Sequence, residues 1–325
     1  MDFIDRVDPE LRAVLGMFPE QQLDFSLGLD VVRKLFADMR AQVAATAPEV
    51  PGVEFRDTRV AGYADGDADV LVRIYEASDR HHPSGAIYWI HGGGMVVGSY
   101  DENDYVSKLW ADRFKVAVVS VEYRLAPEHP YPSPVEDCYA GLRWLWRAAK
   151  QLGVDQSRIV VAGASAGGGL AAGTCLMARD HGEVHPCAQL LMYPMIDDRD
   201  ATPANHEITY PKVWHRDANR FGWASYLGER AGTDDVPIYA APARATVEQL
   251  RGLPPAFVDV GELDAFRDED IDYAQKLLQA AVPTELLVSP GVFHASENFN
   301  ASAASSRRIN RFRNEALARA LAHGE

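Results

Sequence analysis

Ser165 stands in the run Gly163-Ala164-Ser165-Ala166-Gly167. Four apolar residues before it, Ile159 to Ala162, read as a short buried strand, and Gly167 to Met177 read as the apolar start of a helix. A serine at such a turn has its hydroxyl lifted off the sheet, and only small neighbours fit the strained backbone. The N–H of Ala166, at a helix N-terminus, would face an oxygen on any carbon that Ser165 attacks. Taken alone the motif is weak, because a Gly/Ala-rich packing turn has the same composition. Acyl transfer by a serine needs more: a base, a carboxylate to orient that base, and donors for the oxyanion.

Three further stretches could supply these parts. His91-Gly92-Gly93-Gly94 follows an apolar strand, and consecutive glycines let backbone N–H groups reach a ligand oxygen, which suits an oxyanion hole. Val258-Asp259-Val260-Gly261-Glu262-Leu263-Asp264 ends the next-to-last strand, so Asp259, Glu262 and Asp264 are all candidate orienting carboxylates. Asp259 lies inside the strand pattern and Asp264 in the loop beyond it. Asp268, Glu269 and Asp270 open the next helix, where carboxylates serve its N-terminus. Gly291-Val292-Phe293-His294 is expected in the loop after the last strand. The order Ser165, Asp264, His294 is the order α/β hydrolases impose on their triads, each member at a strand end.

The elements that must position these residues form an α/β pattern. Residues 1–48 read as helical, with Val31, Val32, Leu35, Phe36, Met39 and Val43 near helical spacing. Val53 to Val60 and Val70 to Tyr75 alternate as an antiparallel pair. From Ala86, strands at 86–90, 116–122, 159–163, 188–193, 255–260 and 284–289 alternate with helices at about 102–114, 134–151, 166–179, 268–281 and within 299–322. Such alternation implies a mostly parallel central sheet with helices on both faces. Residues 197–232 interrupt it with Trp214, Phe221, Trp223 and Tyr226 at rough helical spacing, either a core-packing insertion or a lid.

Composition excludes several classes of function. A net charge of −15 over 325 residues repels nucleic acid and anionic lipid. Three cysteines, Cys138, Cys175 and Cys187, give no disulfide framework. The N-terminus lacks a basic start followed by an apolar run, and no run is long enough to span a bilayer, so a cytoplasmic location is expected. His181, His185 and Cys187 are close in sequence but lack a fourth ligand, and no metal is expected.

The blocks His91 to Gly94, Tyr123-Arg-Leu-Ala-Pro-Glu-His-Pro-Tyr-Pro132, Gly163 to Gly168, Glu262-Leu-Asp-Ala-Phe-Arg-Asp-Glu269 and the late His294 resemble, in order, the bacterial hormone-sensitive-lipase-like esterases. The resemblance implies an α/β-hydrolase fold with a helical cap. Residues 1–48 and 197–232 would form that cap, and 49–196 and 233–325 the two parts of the catalytic domain. It implies Ser165 as nucleophile, His294 as base, Asp264 as orienter, and Gly93, Gly94 and Ala166 as oxyanion donors. The expected activity is hydrolysis of short-to-medium acyl esters without a cofactor, on a small-molecule substrate, with a homodimer possible through residues 284–289. An amidase or deacetylase with the same triad, or a non-catalytic receptor on the same fold, are the alternatives. The chain departs from the family at Ala164, where an acidic residue is usual, at Ala265, where proline is usual, and at Met95, where an aromatic is common.

Overall fold

The computed structural model describes residues 2–18 and 23–322, so residues 1 and 19–22 of the expected N-terminal helical segment, and 323–325, lie outside the described residues. The chain opens with α1 (Phe3–Arg6), α2 (Pro9–Leu15) and α3 (Leu29–Thr46), followed by β1 (Val53–Val60), β2 (Val70–Ala77) and β3 (Ser84–Ile90). Next come α4 (Asp104–Phe114), β4 (Ala117–Glu122), α5 (Ser133–Ala148), β5 (Val154–Ala164), α6 (Ala166–His181) and β6 (Ala188–Met192). The interruption holds α7 (Pro203–Glu207) and α8 (Arg216–Leu227), after which β7 (Ala256–Leu263), α9 (Arg267–Gln279), β8 (Thr284–Phe293) and α10 (Ala304–Ala322) complete the chain.

The eight strands form one sheet in the order β1-β2-β4-β3-β5-β6-β7-β8. β2 pairs antiparallel with β1 and β4, and every other pairing is parallel. The central strands are runs of β-branched and other apolar residues because both of their faces are covered. Alternate side chains of β3, Tyr88 and Ile90 against Ile87 and Trp89, enter two separate cores. The first contains side chains of α5, α6 and α9, and the second contains Trp110 and Ala111 of α4 with Leu317 and Leu321 of α10. A mostly parallel sheet with helices on both faces is therefore the observed architecture.

Several boundaries differ from the sequence reading. β8 runs through Gly291, Val292 and Phe293, so His294 follows the strand directly instead of sitting in a longer loop. β5 begins at Val154, because pairing to β3 starts at Ser84, and a register shift separates that pair from the run that resumes at Ile159. In α3 only Val32 is buried, while Val31 and Val43 remain 45% and 55% exposed, so the apolar stripe is covered only in part. Trp214 lies in the turn before α8, off the helix that the spacing suggested.

The N-terminal segment and the interruption meet. Phe3 stacks on Tyr210 with ring centroids 4.9 Å apart, and Phe25 stacks on Phe221 at 4.3 Å. Arg6 pairs with Glu207 and, at 3.1 Å, with Glu262. Arg33 of α3 grips the Glu128 carboxylate through two nitrogens at 2.6 and 2.8 Å and donates to the carbonyls of Val96 and Ala126. Glu128 thus serves as a tether for α3. Trp223 and Tyr226 are buried in the core, whereas Trp214 borders a cavity at the carboxyl end of the sheet.

Candidate active site

Ser165 occupies the turn between β5 and α6 with φ 57° and ψ −123°, a conformation that side-chain-bearing residues rarely adopt. It is held there from both sides. Its N–H donates to Met192 O at 2.9 Å, and its carbonyl accepts from Gly169 and Met195 at 3.1 and 2.9 Å. The flanking glycines are a steric requirement: a Cβ on Gly163 would lie 2.1 Å from Gly167 O, and one on Gly167 would lie 2.2 Å from Ile90 O. The sequence therefore folds locally into a sharp elbow with the hydroxyl directed into open space.

His294 meets that hydroxyl. Its Nε2 stands 3.0 Å from Ser165 Oγ and its Nδ1 stands 2.8 Å from Asp264 Oδ2. With an ionised carboxylate at Asp264, the ring proton belongs on Nδ1, leaving the Nε2 lone pair free to accept from the serine. Asp264 is fully buried, and its other oxygen accepts the N–H of Phe266 at 3.0 Å, so its orientation is fixed at both ends. The edge-to-face rings of Tyr193 and Phe266, 4.7 and 5.2 Å from the imidazole, hold His294 laterally.

Of the three candidate carboxylates only Asp264 reaches His294. Asp259 is committed to a buried arginine, with Arg313 donating to it at 2.9 and 2.6 Å. Arg313 also donates to Glu297 at 2.7 Å, and Glu297 accepts from Tyr193 OH at 2.9 Å. This Asp259–Arg313–Glu297–Tyr193 network underlies the imidazole and was invisible in the sequence, since its members come from four distant stretches. The paired Arg313 guanidinium keeps the Glu297 carboxyl below the usual range despite its burial. Glu262 instead accepts the N–H of Gly291 at 2.9 Å and the charge of Arg6, joining the N-terminal segment to the strand end before His294.

The expectation that Asp268, Glu269 and Asp270 serve their own helix end needs correction. Asp268 accepts from Ala204 N at 2.7 Å, while Glu269 is buried and accepts from the N–H groups of Ile196 and Asp197. These carboxylates bind the start of the interruption to α9. Asp270 is fully buried with both oxygens unpartnered, and burial raises its pKa well above the carboxylate range, next to the like charges of Glu269, Asp264 and Asp259.

The glycine loop lies beside the serine. A Cβ on Gly92 would be 3.3 Å from Ser165 Cβ, and Gly93 has φ +110° with its Cα packed against Val97 O. Gly94 is pressed against Trp214, whose indole a Cβ would meet at 2.2 Å. Among the described residues no protein acceptor takes the N–H of Gly93, Gly94 or Ala166. His91 braces the loop: it is buried, stacks on Tyr123 at 4.2 Å, and its Nδ1–H donates to Gly92 O at 2.8 Å. Burial pulls its pKa down to about 4, so the ring is neutral.

Ser165 and His294 open into a cavity of about 740 Å³ whose wall includes Trp89, Trp110, Tyr193, Trp214 and Phe299. This is large enough for a drug-sized ligand, with several aromatic side chains in its wall. His181, His185 and Cys187, close in sequence, turn to different partners. His181 contacts Tyr63 OH at 3.2 Å, His185 packs on Trp146, and Cys187 faces Ala320 O. No group of three or more His, Cys, Asp or Glu side chains among the described residues could hold a metal. No described helix is long and apolar enough to cross a membrane.

Comparison with known proteins bears on the same region. A family model described as alpha/beta hydrolase fold matches residues 87–298. The chain is similar to the carboxylesterase NlhH of Mycobacterium tuberculosis, 36% identical over 297 residues that span 90% of this chain and 89% of that protein. It is 30% identical to the arylesterase of Saccharolobus solfataricus over 93% of this chain and 95% of that one. Among solved structures, a bacterial heroin esterase superposes with a TM-score of 0.93 at 41% identity, covering 98% of this chain and 99% of its own.

Proposed function

Since the chain belongs to the hormone-sensitive-lipase-like family of α/β hydrolases and is a carboxylic ester hydrolase, we propose that it works by a Ser165–His294–Asp264 triad through an acyl-enzyme. Ser165 Oγ attacks the ester carbonyl carbon while its proton passes to His294 Nε2. The carbonyl oxygen, now an anion, is stabilised by the N–H groups of Gly93, Gly94 and Ala166. Collapse of the tetrahedral intermediate breaks the bond to the alcohol oxygen, which takes the proton from His294. A water, deprotonated by the same nitrogen, then attacks the acyl-enzyme and releases the acid and the serine. Asp264 holds the imidazole in the required tautomer throughout.

The observation that carries this reading is the continuous pair of contacts, 3.0 Å from Ser165 to His294 and 2.8 Å from His294 to Asp264. In the same reading, residues 1–48 and 197–232 act together as the cap, supported by the Phe3–Tyr210 and Phe25–Phe221 stacks. Short-to-medium acyl esters are the substrates, and a dimer pairs the open edge of β8, which has a neighbour on one side only. Size-exclusion chromatography with Leu287→Pro reads the last point: the dimer shifts to monomer, and an unchanged dimer excludes that edge.

The test of the mechanism is turnover of p-nitrophenyl acetate, butyrate and octanoate by wild type and Ser165→Ala. The variant is expected to lose roughly three or more orders of magnitude in kcat. Equal turnover by both proteins would refute it.

A further inference from the structure

The catalytic cavity adjoins a second one of about 720 Å³, between α3 and the start of α4. Phe36, Tyr105, Asn103 and Phe299 line both, and among the described residues Glu102 is the one charged side chain that does so. Its position relative to the chemistry is fixed by Gly98: a point one Cβ away from that Cα lies 2.6 Å from His91 Nδ1, 2.7 Å from Gly92 O and 2.9 Å from Glu102 Oε2. The carboxylate thus flanks the glycine loop that borders Ser165.

Several other charges that line the two cavities are held in ion pairs, which Glu102 is not. Arg33 is held by Glu128, Lys108 by Asp104 and Arg313 by Asp259 and Glu297. Arg40, the cation nearest Glu102 in effect, is engaged by Ser99 Oγ and by Asp101 at 3.4 Å. Glu102 forms no ion pair among the described residues, and its polar support comes from the backbone at Ser99. Burial, with Asp101 and Glu122 adding like charge, pushes its carboxyl up to about 7. Lys212 and Arg113 border the catalytic cavity but not its neighbour.

Glu102 is half-buried and feels the charge of Arg40 only at a distance, with no ion pair of its own, so a ligand that brings a cation to it gains a direct charge contact that the protein does not supply. Phe36 and Tyr105 line both cavities as well, and an aromatic ring favours an ammonium over a neutral group. We propose that Glu102 is the specificity-determining residue of this site and that the enzyme favours esters bearing an ammonium group, which lies at the junction of the two cavities against this carboxylate. The proposal rests on the reading that Ser165 is the nucleophile opening into the first cavity.

A matched pair of esters tests it. Choline butyrate and 3,3-dimethylbutyl butyrate have the same shape and differ in the charge of one atom. Wild type is expected to favour the cationic ester in kcat/KM by about tenfold, the size of a single desolvated ion contact. Glu102→Gln is expected to erase that ratio, with the change carried by KM of the cationic ester. A ratio that survives Glu102→Gln, or a wild type that favours the neutral ester, overturns the proposal. Ser165→Ala distinguishes this from failure of the underlying mechanism: if that variant hydrolyses the neutral ester like wild type, the nucleophile is misassigned whatever the ratio.

Discussion

At Asp264 the geometry sets a sharp expectation. Its carboxylate accepts from both His294 and the backbone of Phe266, so Asp264→Asn keeps the shape and reverses the proton that His294 must carry. kcat on p-nitrophenyl butyrate should fall by about four orders of magnitude while the far-ultraviolet circular dichroism is unchanged. Activity within tenfold of wild type would exclude Asp264 as the orienting group. Gly167 gives a second test, because its Cβ would enter the space of Ile90 O and His91 O at 2.2 and 2.3 Å. Gly167→Ala should cost about 1–3 kcal/mol in denaturant unfolding and displace the serine, lowering kcat. The serine, the histidine and the glycines were legible in the sequence because each sits at the end of an apolar strand. Their supporting contacts were not: Asp259 and Arg313 are 54 residues apart, and nothing local pairs them.

Helix α9 shows where local reading of an element fails. Three acidic residues in a first turn normally face solvent and the helix dipole. Here Glu269 and Asp270 are both buried, and Glu269 accepts from the backbone N–H groups of Ile196 and Asp197 and from the side chain of Asn205. Asp270 has no such return. Its raised pKa means folding takes up a proton, so this residue makes stability fall as pH rises from the ordinary carboxylate range through the folded-state value. Asp270→Asn should therefore flatten part of that slope and raise stability at pH 8 by about 1–3 kcal/mol. Urea melts at pH 5 and pH 8 check this. An equal loss at both would mean that the carboxylate has a partner and is not a source of strain. The strands themselves, by contrast, needed only the run of apolar segments, which a parallel sheet covered on both faces makes continuous, whereas their order in the sheet did not follow from it.

Across the whole molecule, the buried Arg313 links α10, β7, the segment after β8 and the end of β6. Arg313→Met leaves two buried carboxylates, Asp259 and Glu297, without their cation. A loss of about 3–5 kcal/mol is expected in chemical denaturation, together with a fall in kcat through His294, which leans on Tyr193. A variant as stable as wild type would show that the network is dispensable. The joining of the N-terminal segment to residues 197–232 is the feature of this scale that spacing left open. Trp214, Phe221, Trp223 and Tyr226 are all aromatic, yet Trp223 and Tyr226 fill core while Trp214 borders the cavity beside Gly94. Side chains of one type acquire different tasks from the surfaces brought against them.

The convergence of Ser165, His294 and Asp264 is tested most directly by covalent labelling. A fluorophosphonate should add once, on the peptide containing Ser165, with activity lost in proportion, and His294→Ala should slow labelling by about a thousandfold or more. An active protein whose Ser165 stays unlabelled, or labels equally fast without His294, would contradict the account.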